Sequence, residues 1–380
     1  MNDTEIEKFN YTVNDNQILV NGEILDIRGV VYVPGYPGFV PWEIEQSINL
    51  PERLKTSIEN DINQIKNLGA NTIRLWGAPE YCYTAIKDAQ DIHILQTLWI
   101  DGEQGDLLET VFIENTKEYF RTVIDRIYGV FSDGSAPICG YIVGNEINEA
   151  SILNTNQYHP EITSFSGNYI TTDSSLTASE VFLAQLGDYV KSYVYDNYGD
   201  LPLVTYANDI RTDEIIDTPF LDFRSHNAYS YAVAYYLENP PFGSITGTLF
   251  QGWIEYLKNK YPSVPLLITE TGLSVTPNAT HIGPPNYGYG GNTEVEQGNG
   301  IIQNFEDIKT AETSVAGVVI HEYLDSWWKF GFEDSFEHDP NDREEWFGIV
   351  KIVSNNDWYT TIDRPIVGQL KTFWQQHIIE

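Results

Sequence analysis

Residues 25–33 read LDIRGVVYV, and residues 51–76 read PERLKTSIENDINQIKNLGANTIRLW. The first run is apolar and β-branched and stops at Pro34, as a buried strand does. In the second, Leu54, Ile58, Ile62, Ile65 and Leu68 recur at helical spacing, with Pro51 suited to a first turn and Gly69 to a C-terminal cap. The short run 71–76 (NTIRLW) reads as a strand again. Strand, helix and strand in this order predict a parallel pair joined by a helical crossover.

Working outward, the same alternation continues. A helix is expected near 81–89, a strand at 92–100 (IHILQTLWI), and a helix at 109–130 with Phe120, Ile124 and Ile127 on one stripe. Residues 138–144 (ICGYIVG) form a fourth strand, followed by a long polar insertion over 147–176. Thr177 and Glu180 have the spacing of a capping box, opening a helix to about Tyr195. Residues 201–206, 220–226, 264–269 and 315–321 supply four more strands. Between them lie a short irregular helix near 212–217 and clearer helices near 245–260 and 294–313. Pro365 starts a last helix to about Ile378. Eight such units fit an α/β fold of the single (β/α)8 TIM-barrel type. A doubly wound sheet is the rival, but no glycine-rich nucleotide fingerprint follows an early strand. The surplus residues, 34–50, 147–176, 271–293 and 325–358, follow strands and are expected as long βα loops, the side on which barrels build active sites. Residues 9–27 are expected as a β-hairpin turning at Asn21-Gly22. With no repeat or linker in view, the expected organisation is one catalytic barrel domain over 1–380, with an N-terminal hairpin at 1–24 and the barrel at 25–380.

Composition narrows the function. Of 380 residues, 42% are hydrophobic and 13% aromatic, enough for a packed core and against disorder. Asp and Glu number 55 against 21 Lys and Arg, a formal net charge of −34. That field repels nucleic acids and anionic membrane surfaces, so neither is an expected partner. No apolar run approaches the ~18 residues of a membrane helix, so membrane insertion is not expected either. Two cysteines, Cys82 and Cys139, exclude a disulfide scaffold and a cysteine-rich zinc site; both are expected as free structural thiols. No charged segment followed by an apolar core opens the chain. Abundant aromatics, Asn and acidity lean toward a secreted protein in its mature form, with a cytoplasmic one as the alternative. Nothing in the sequence assigns an oligomeric state.

Two motifs carry the chemistry. Residues 144–148 read GNEIN at the end of the fourth strand, and 268–272 read ITETG at the end of the seventh. Each puts a carboxylate, Glu146 or Glu270, where a strand gives way to a loop. Two such carboxylates are the equipment of glycoside hydrolysis: one protonates the leaving oxygen, and the other attacks or activates water.

On these motifs, on Val20-Asn21-Gly22-Glu23 with Ile27-Arg28-Gly29-Val30, and on residues 69–74 (GANTIR), the chain resembles the clan A retaining glycoside hydrolases. Families 2, 5 and 72 belong to that (β/α)8-barrel group. The resemblance covers roughly residues 18 to 378. Residues 322–329 (EYLDSWWK) and 344–348 (EEWFG) are similar to β-glucan-modifying barrels. It implies Glu270 as nucleophile and Glu146 as acid/base in a double displacement at a neutral β-linked glycan. It further implies Arg74 beside the nucleophile, Asn145 on the sugar 2-hydroxyl, and Tyr229 and His226 as contacts after the sixth strand. Which of His226, Asn227 and Tyr229 points inward depends on strand register. Trp327 and Trp328 are expected as an aromatic platform for a sugar ring, with Trp327 favoured, and Trp76 is a further candidate. Tyr32, Tyr36 and Trp42 are candidates for an outer subsite, against mutual packing. A β-glucan transglycosylase of the same fold and a non-catalytic glycan-binding barrel are the alternatives. No cofactor and no metal are expected: the seven histidines are scattered, no H-E-x-x-H or G-x-S-x-G occurs, and calcium in the acidic loop from Asp334 to Asp342 lacks a ligand spacing. His321 and Glu322 are expected to alternate across the eighth strand and face opposite ways.

Overall fold

The computed structural model describes residues 8–236, 248–310, 315–329, 337–355 and 358–376. A small antiparallel sheet opens the chain: β1 (Tyr11–Asn14), β2 (Gln17–Val20) and β3 (Glu23–Ile24). The expected hairpin is thus three strands. The chain turns first at Asp15, which takes a left-handed backbone, and again at Asn21-Gly22. Eight strands then form one closed barrel in sequence order: β4 (Ile27–Tyr32), β5 (Thr72–Leu75), β6 (His93–Leu98), β7 (Ile138–Asn145), β8 (Val204–Asp209), β9 (Arg224–Asn227), β10 (Leu266–Thr271) and β11 (Gly317–Ile320). This is the (β/α)8 architecture that the alternation predicts.

The chain packs as two compact units. One comprises the segment up to Asp26, His93–Asn227 and Tyr261–Leu267. Within it β6, β7, β8 and β9 pair in parallel, with Gln96 beside Tyr141, Tyr141 beside Val204, and Asp209 beside Asn227. Its helices are α4 (Thr110–Val130), α5 (Glu149–Tyr158) and α6 (Ala178–Tyr198). The capping box at Thr177 and Glu180 forms as the sequence predicts. The polar insertion is more ordered than predicted, because the Asn148 side chain accepts the Ala150 N–H and so starts α5. The helix expected near 212–217 is replaced by turns, where Asp209 takes the Arg211 N–H and Asn208 takes the Thr212 hydroxyl.

The other unit comprises Ile27–Ile92, Ala228–Lys260 and Ile268–Glu380. Here β11 pairs with β4 and β4 with β5, with Ile320 beside Val30 and Val31 beside Arg74. Its helices are α1 (Pro41–Gln46), α2 (Glu52–Leu68), α3 (Glu80–Ala89), α7 (Ser230–Tyr236), α8 (Leu249–Lys260), α9 (Glu294–Thr310) and α10 (Pro365–Gln376). On α2 the predicted stripe is buried, Pro51 sits at the N-cap and Gly69 is the left-handed cap. The region expected as loop over 325–358 contains a strand, β12 (Val350–Ser354), which pairs antiparallel with β13 (Tyr359–Asp363) just beyond it. Cys82 and Cys139 are both buried and free.

Tyr32 and Tyr36 line no subsite. Both are fully buried and converge on Asp61 of α2, with Tyr36 donating to its Oδ2 at 2.6 Å and Tyr32 at 3.2 Å. Burial pushes the Asp61 carboxyl up to about 7, and the two hydroxyl donors hold it back from going further. The folded protein therefore binds this proton more tightly than the unfolded chain. The resulting stability is fully present below the ordinary carboxylate range and is lost as pH rises through about 7. Asp61→Asn is expected to remove this dependence. The difference in unfolding midpoint, wild type minus variant, should fall between pH 4 and pH 7.5, and a difference flat in pH would contradict the assignment.

Candidate active site

Each of the two carboxylates has its own shell. Glu270 is the penultimate residue of β10, with only 4% of its surface exposed. A carboxylate so buried needs a cation or several donors. Arg74, fully buried on β5, donates from Nη1 to Glu270 Oε1 at 2.8 Å and to the Thr269 carbonyl at 2.9 Å. The Tyr229 hydroxyl donates to the other oxygen, Oε2, at 2.6 Å. The Ala228 N–H donates to the Glu270 carbonyl and holds Tyr229 in place. Both oxygens thus receive strong donors, an arrangement that fixes the direction in which the carboxylate points.

Beyond Glu270 lies a polar cluster on the segment after β11. His321 and Glu322 follow the strand, which ends at Ile320, so strand alternation does not govern them. Contrary to the expectation, their side chains lie together: His321 Nε2 is 3.7 Å from Glu322 Oε1, and Lys329 Nζ reaches both, at 3.1 and 3.5 Å. Lys329 also lies 3.5 Å from Glu344. Burial raises the Glu322 carboxyl to about 7, while Lys329 pulls it back down. The His321 ring stacks on Trp76 at 5.4 Å and meets Phe347 edge-on at 5.2 Å. Trp76, a weaker candidate in the sequence than Trp327 and Trp328, therefore sits beside the Glu270 shell. A side chain at Gly272 would run into the His321 carbonyl, so the chain after Glu270 stays bare there and the two strand exits pack closely.

Glu146 directly follows β7. Gly144 takes φ +89°, with Ile100 occupying the place of a Cβ, and Glu146 itself takes φ +47°. This turn lifts the carboxylate away from the strand, and its backbone N–H remains anchored on the Ala207 carbonyl at 2.9 Å. Asn227 donates from Nδ2 to Glu146 Oε1 at 2.7 Å and to Asn145 Oδ1 at 3.0 Å. Arg211, half-exposed, donates from Nη2 to Glu146 Oε2 at 2.7 Å and also pairs with Asp209. Glu146 is more accessible than Glu270, with a quarter of its side chain exposed.

The predicted residues divide accordingly. Arg74 and Tyr229 join Glu270, and Asn145 joins Glu146. His226 joins neither: it is buried on the opposite face of β9 from Asn227, with Nε2 3.9 Å from Asp213, and burial drops its pKa to about 4. It is a neutral core histidine. Strand alternation selects Asn227 in its place, which the sequence reading weighed without choosing. Trp327 is also core, at 1% exposure, whereas Trp328 is partly exposed, covers Gly35 and meets Trp42 edge-on at 6.1 Å. Arg211 and Lys329 are not singled out as site residues by the sequence, and His321 and Glu322 are expected there only to face opposite ways. Of the acidic loop, Asp334 lies outside the described residues, and Asp339 and Asp342 cap the turns at Asn341 and Glu344.

Removing the buried cation is expected to be costly. Arg74→Met leaves the buried Glu270 without its cation, and urea unfolding should show a loss of about 3–5 kcal/mol. The double variant Arg74→Met with Glu270→Gln should recover much of it. A single variant as stable as wild type would mean the pair contributes nothing.

No family model matches the chain, and no curated protein does. Among solved structures, the chain is similar to a β-glucuronidase from Ruminococcus gnavus in complex with D-glucaro 1,5-lactone, at 14% identity and a TM-score of 0.63, covering 97% of this chain and 53% of that one. It is also similar to a GH2 β-galacturonidase from Eisenbergiella tayi bound to galacturonate, at 18% identity and a TM-score of 0.59, covering 97% and 54%. A third likeness is to a β-glucuronidase from an uncultured Clostridium, at 16% identity and a TM-score of 0.62, covering 97% and 53%. The chain thus spans about half the length of the structures it resembles. At these identities the likeness is one of fold, and the chain has the barrel architecture found in those glycosidases.

Proposed function

We propose that this protein is a retaining β-glycoside hydrolase, with Glu270 as nucleophile and Glu146 as acid/base. The observation that carries this reading is the Glu270 shell: a buried carboxylate at a barrel strand end, one oxygen held by Arg74 and the other by Tyr229. Such a group is aimed and desolvated, as a nucleophile toward an anomeric carbon must be. The more exposed Glu146, following Asn145, suits a group that exchanges protons with a leaving oxygen and then with water.

The reaction has two steps. Glu270 bonds to the anomeric carbon as the bond to the leaving oxygen breaks, and Glu146 supplies that oxygen's proton. Glu146 then takes a proton from water, whose oxygen displaces Glu270 and restores the β-configuration. A sugar hydroxyl in place of water would make the protein a transglycosylase. Arg211 bears on the first step, since it covers Glu146 Oε2. Its second anchor on Asp209 lets it release Glu146 without losing every charge partner. Asn145 is assigned to the sugar 2-hydroxyl, and Trp76 and Trp328 to the sugar faces.

A neutral sugar is the favoured substrate class. Arg74 is matched by Glu270, Arg211 by Glu146 and Asp209, and Lys329 by Glu322 and Glu344. A uronate would add a further negative charge beside cations already paired with carboxylates. The competing reading, a uronide substrate, draws on the fold likeness to the β-glucuronidases and the β-galacturonidase. An exported setting remains the reading of the composition.

Kinetics on 2,4-dinitrophenyl and 4-nitrophenyl β-glycosides of glucose, galactose, mannose, glucuronate and galacturonate would test these readings. Wild type should turn over a neutral member best; preference for a uronide would overturn the substrate class. Glu270→Ala should be inactive, with azide restoring turnover of the activated glycoside and giving the α-glycosyl azide. Glu146→Ala should lose about 10²–10⁴-fold on the poorer leaving group while sparing the activated one. Near-wild-type turnover in either variant would sink the mechanism.

A further inference from the structure

His321 is 2% exposed and has two ring nitrogens to satisfy. Its Nε2 lies 3.1 Å from Lys329 Nζ. An ammonium only donates, so Nε2 must accept and carry no proton. Burial, reinforced by the positive charges of Lys329 and Arg74, drives the imidazole pKa well below its ordinary value, so the ring holds a single proton. That proton is then on Nδ1. Among the described residues Nδ1 has no hydrogen-bond partner, and it lies 3.7 Å from Glu270 Oε2. The ring is held by stacking on Trp76 and by the edge contacts of Phe347 and Tyr229. Lys329 is itself fixed, lying 3.5 Å from both Glu322 and Glu344 and 5.1 Å over the Trp76 ring.

We propose that Lys329 and His321 form a positioning pair, in which Lys329 fixes the Nδ1–H tautomer of His321 and aims that donor at Glu270 as a third hydrogen bond beside Arg74 and Tyr229. The inference rests on the reading of Glu270 as nucleophile. A charged carboxylate gains from each N–H or O–H directed at it, and Nδ1, 3.7 Å from Oε2, needs a shift of under about 1 Å to reach bonding distance. The pair also explains why a largely covered lysine lies next to a histidine: its charge is shared by two carboxylates on one side and used to orient an imidazole on the other.

The tautomer is directly observable by NMR of protein carrying ¹⁵N-labelled histidine, with the His321 signals identified by their loss in His321→Gln. Wild type should show an Nδ1–H imidazole that does not titrate between pH 5 and pH 9. Lys329→Met removes the donor and should shift His321 toward the Nε2–H form, whereas Lys329→Gln, whose amide can still donate, should preserve Nδ1–H. In kinetics Lys329→Met should lower kcat/KM by about ten- to a hundredfold, the scale of one hydrogen bond to a charged group. In the His321→Gln background the same change should add little, since the two act as one. An Nε2–H tautomer in wild type, an unchanged tautomer in Lys329→Met, or fully additive losses would each overturn the pair. If Lys329→Met does not fold, the wild-type tautomer and its persistence in Lys329→Gln decide the matter. Covalent trapping by 2-deoxy-2-fluoro-β-glycosyl fluorides separates the two readings. A label on another residue overturns Glu270 as nucleophile whatever the tautomer, and an Nε2–H tautomer with Glu270 labelled overturns only the pair.

Discussion

The ion pair between Arg74 and Glu270 is the constraint around which its unit is arranged. Neither group can be buried this completely alone, since each would face a desolvation cost of several kcal/mol. Joined at 2.8 Å, they tie the ends of β5 and β10, and Arg74 adds the Thr269 carbonyl. The segment after β11 then takes its place from β10. The His321 N–H bonds the Thr271 carbonyl, and Gly272 leaves room for the His321 backbone. From that backbone hang the imidazole, Glu322 and the contacts to Lys329. The geometry of the cluster therefore follows from one charge pair and one missing side chain.

The same economy governs charge elsewhere. Only 21 Lys and Arg serve 55 acids, and several of the cations are buried with acidic partners: Arg364 with Asp325, Arg224 with Asp217, Lys191 with Asp222. Cations spent inside leave the excess acidity toward water. The protein's long-range field is therefore strongly negative, while the individual sites described here are close to balanced. That combination disfavours anionic partners at a distance.

Much of this was legible in the sequence. Periodicity located every barrel strand, because a strand buried on both faces reads as a short apolar run, and it located the large helices. The carboxylates were legible because each stands at a strand end, and Arg74 because it occupies the same place on β5. What was not legible depends on register and on loops. The predicted sixth strand ran over 220–226, while the structure pairs Arg224–Asn227; that difference hides which of His226 and Asn227 faces inward. His321 was read inside a strand that ends one residue earlier. Arg211 sits in a turn held by Asp209, and Lys329 meets His321 and Glu322 from an irregular segment; neither position has a periodic signature. Trp327 and Trp328 are adjacent and chemically identical, so only packing distinguishes the core ring from the accessible one.

The span of the Arg74–Glu270 pair also bears on how the protein reaches this state. Its partners are 196 residues apart in the chain. Closing so long a loop is entropically expensive before any contact repays it, and contacts of this range slow folding. During synthesis Arg74 emerges long before its counter-ion exists, so its guanidinium has to stay hydrated until β10 has been made. The charge that organises the finished cluster therefore cannot be buried with its partner until most of the chain has been made.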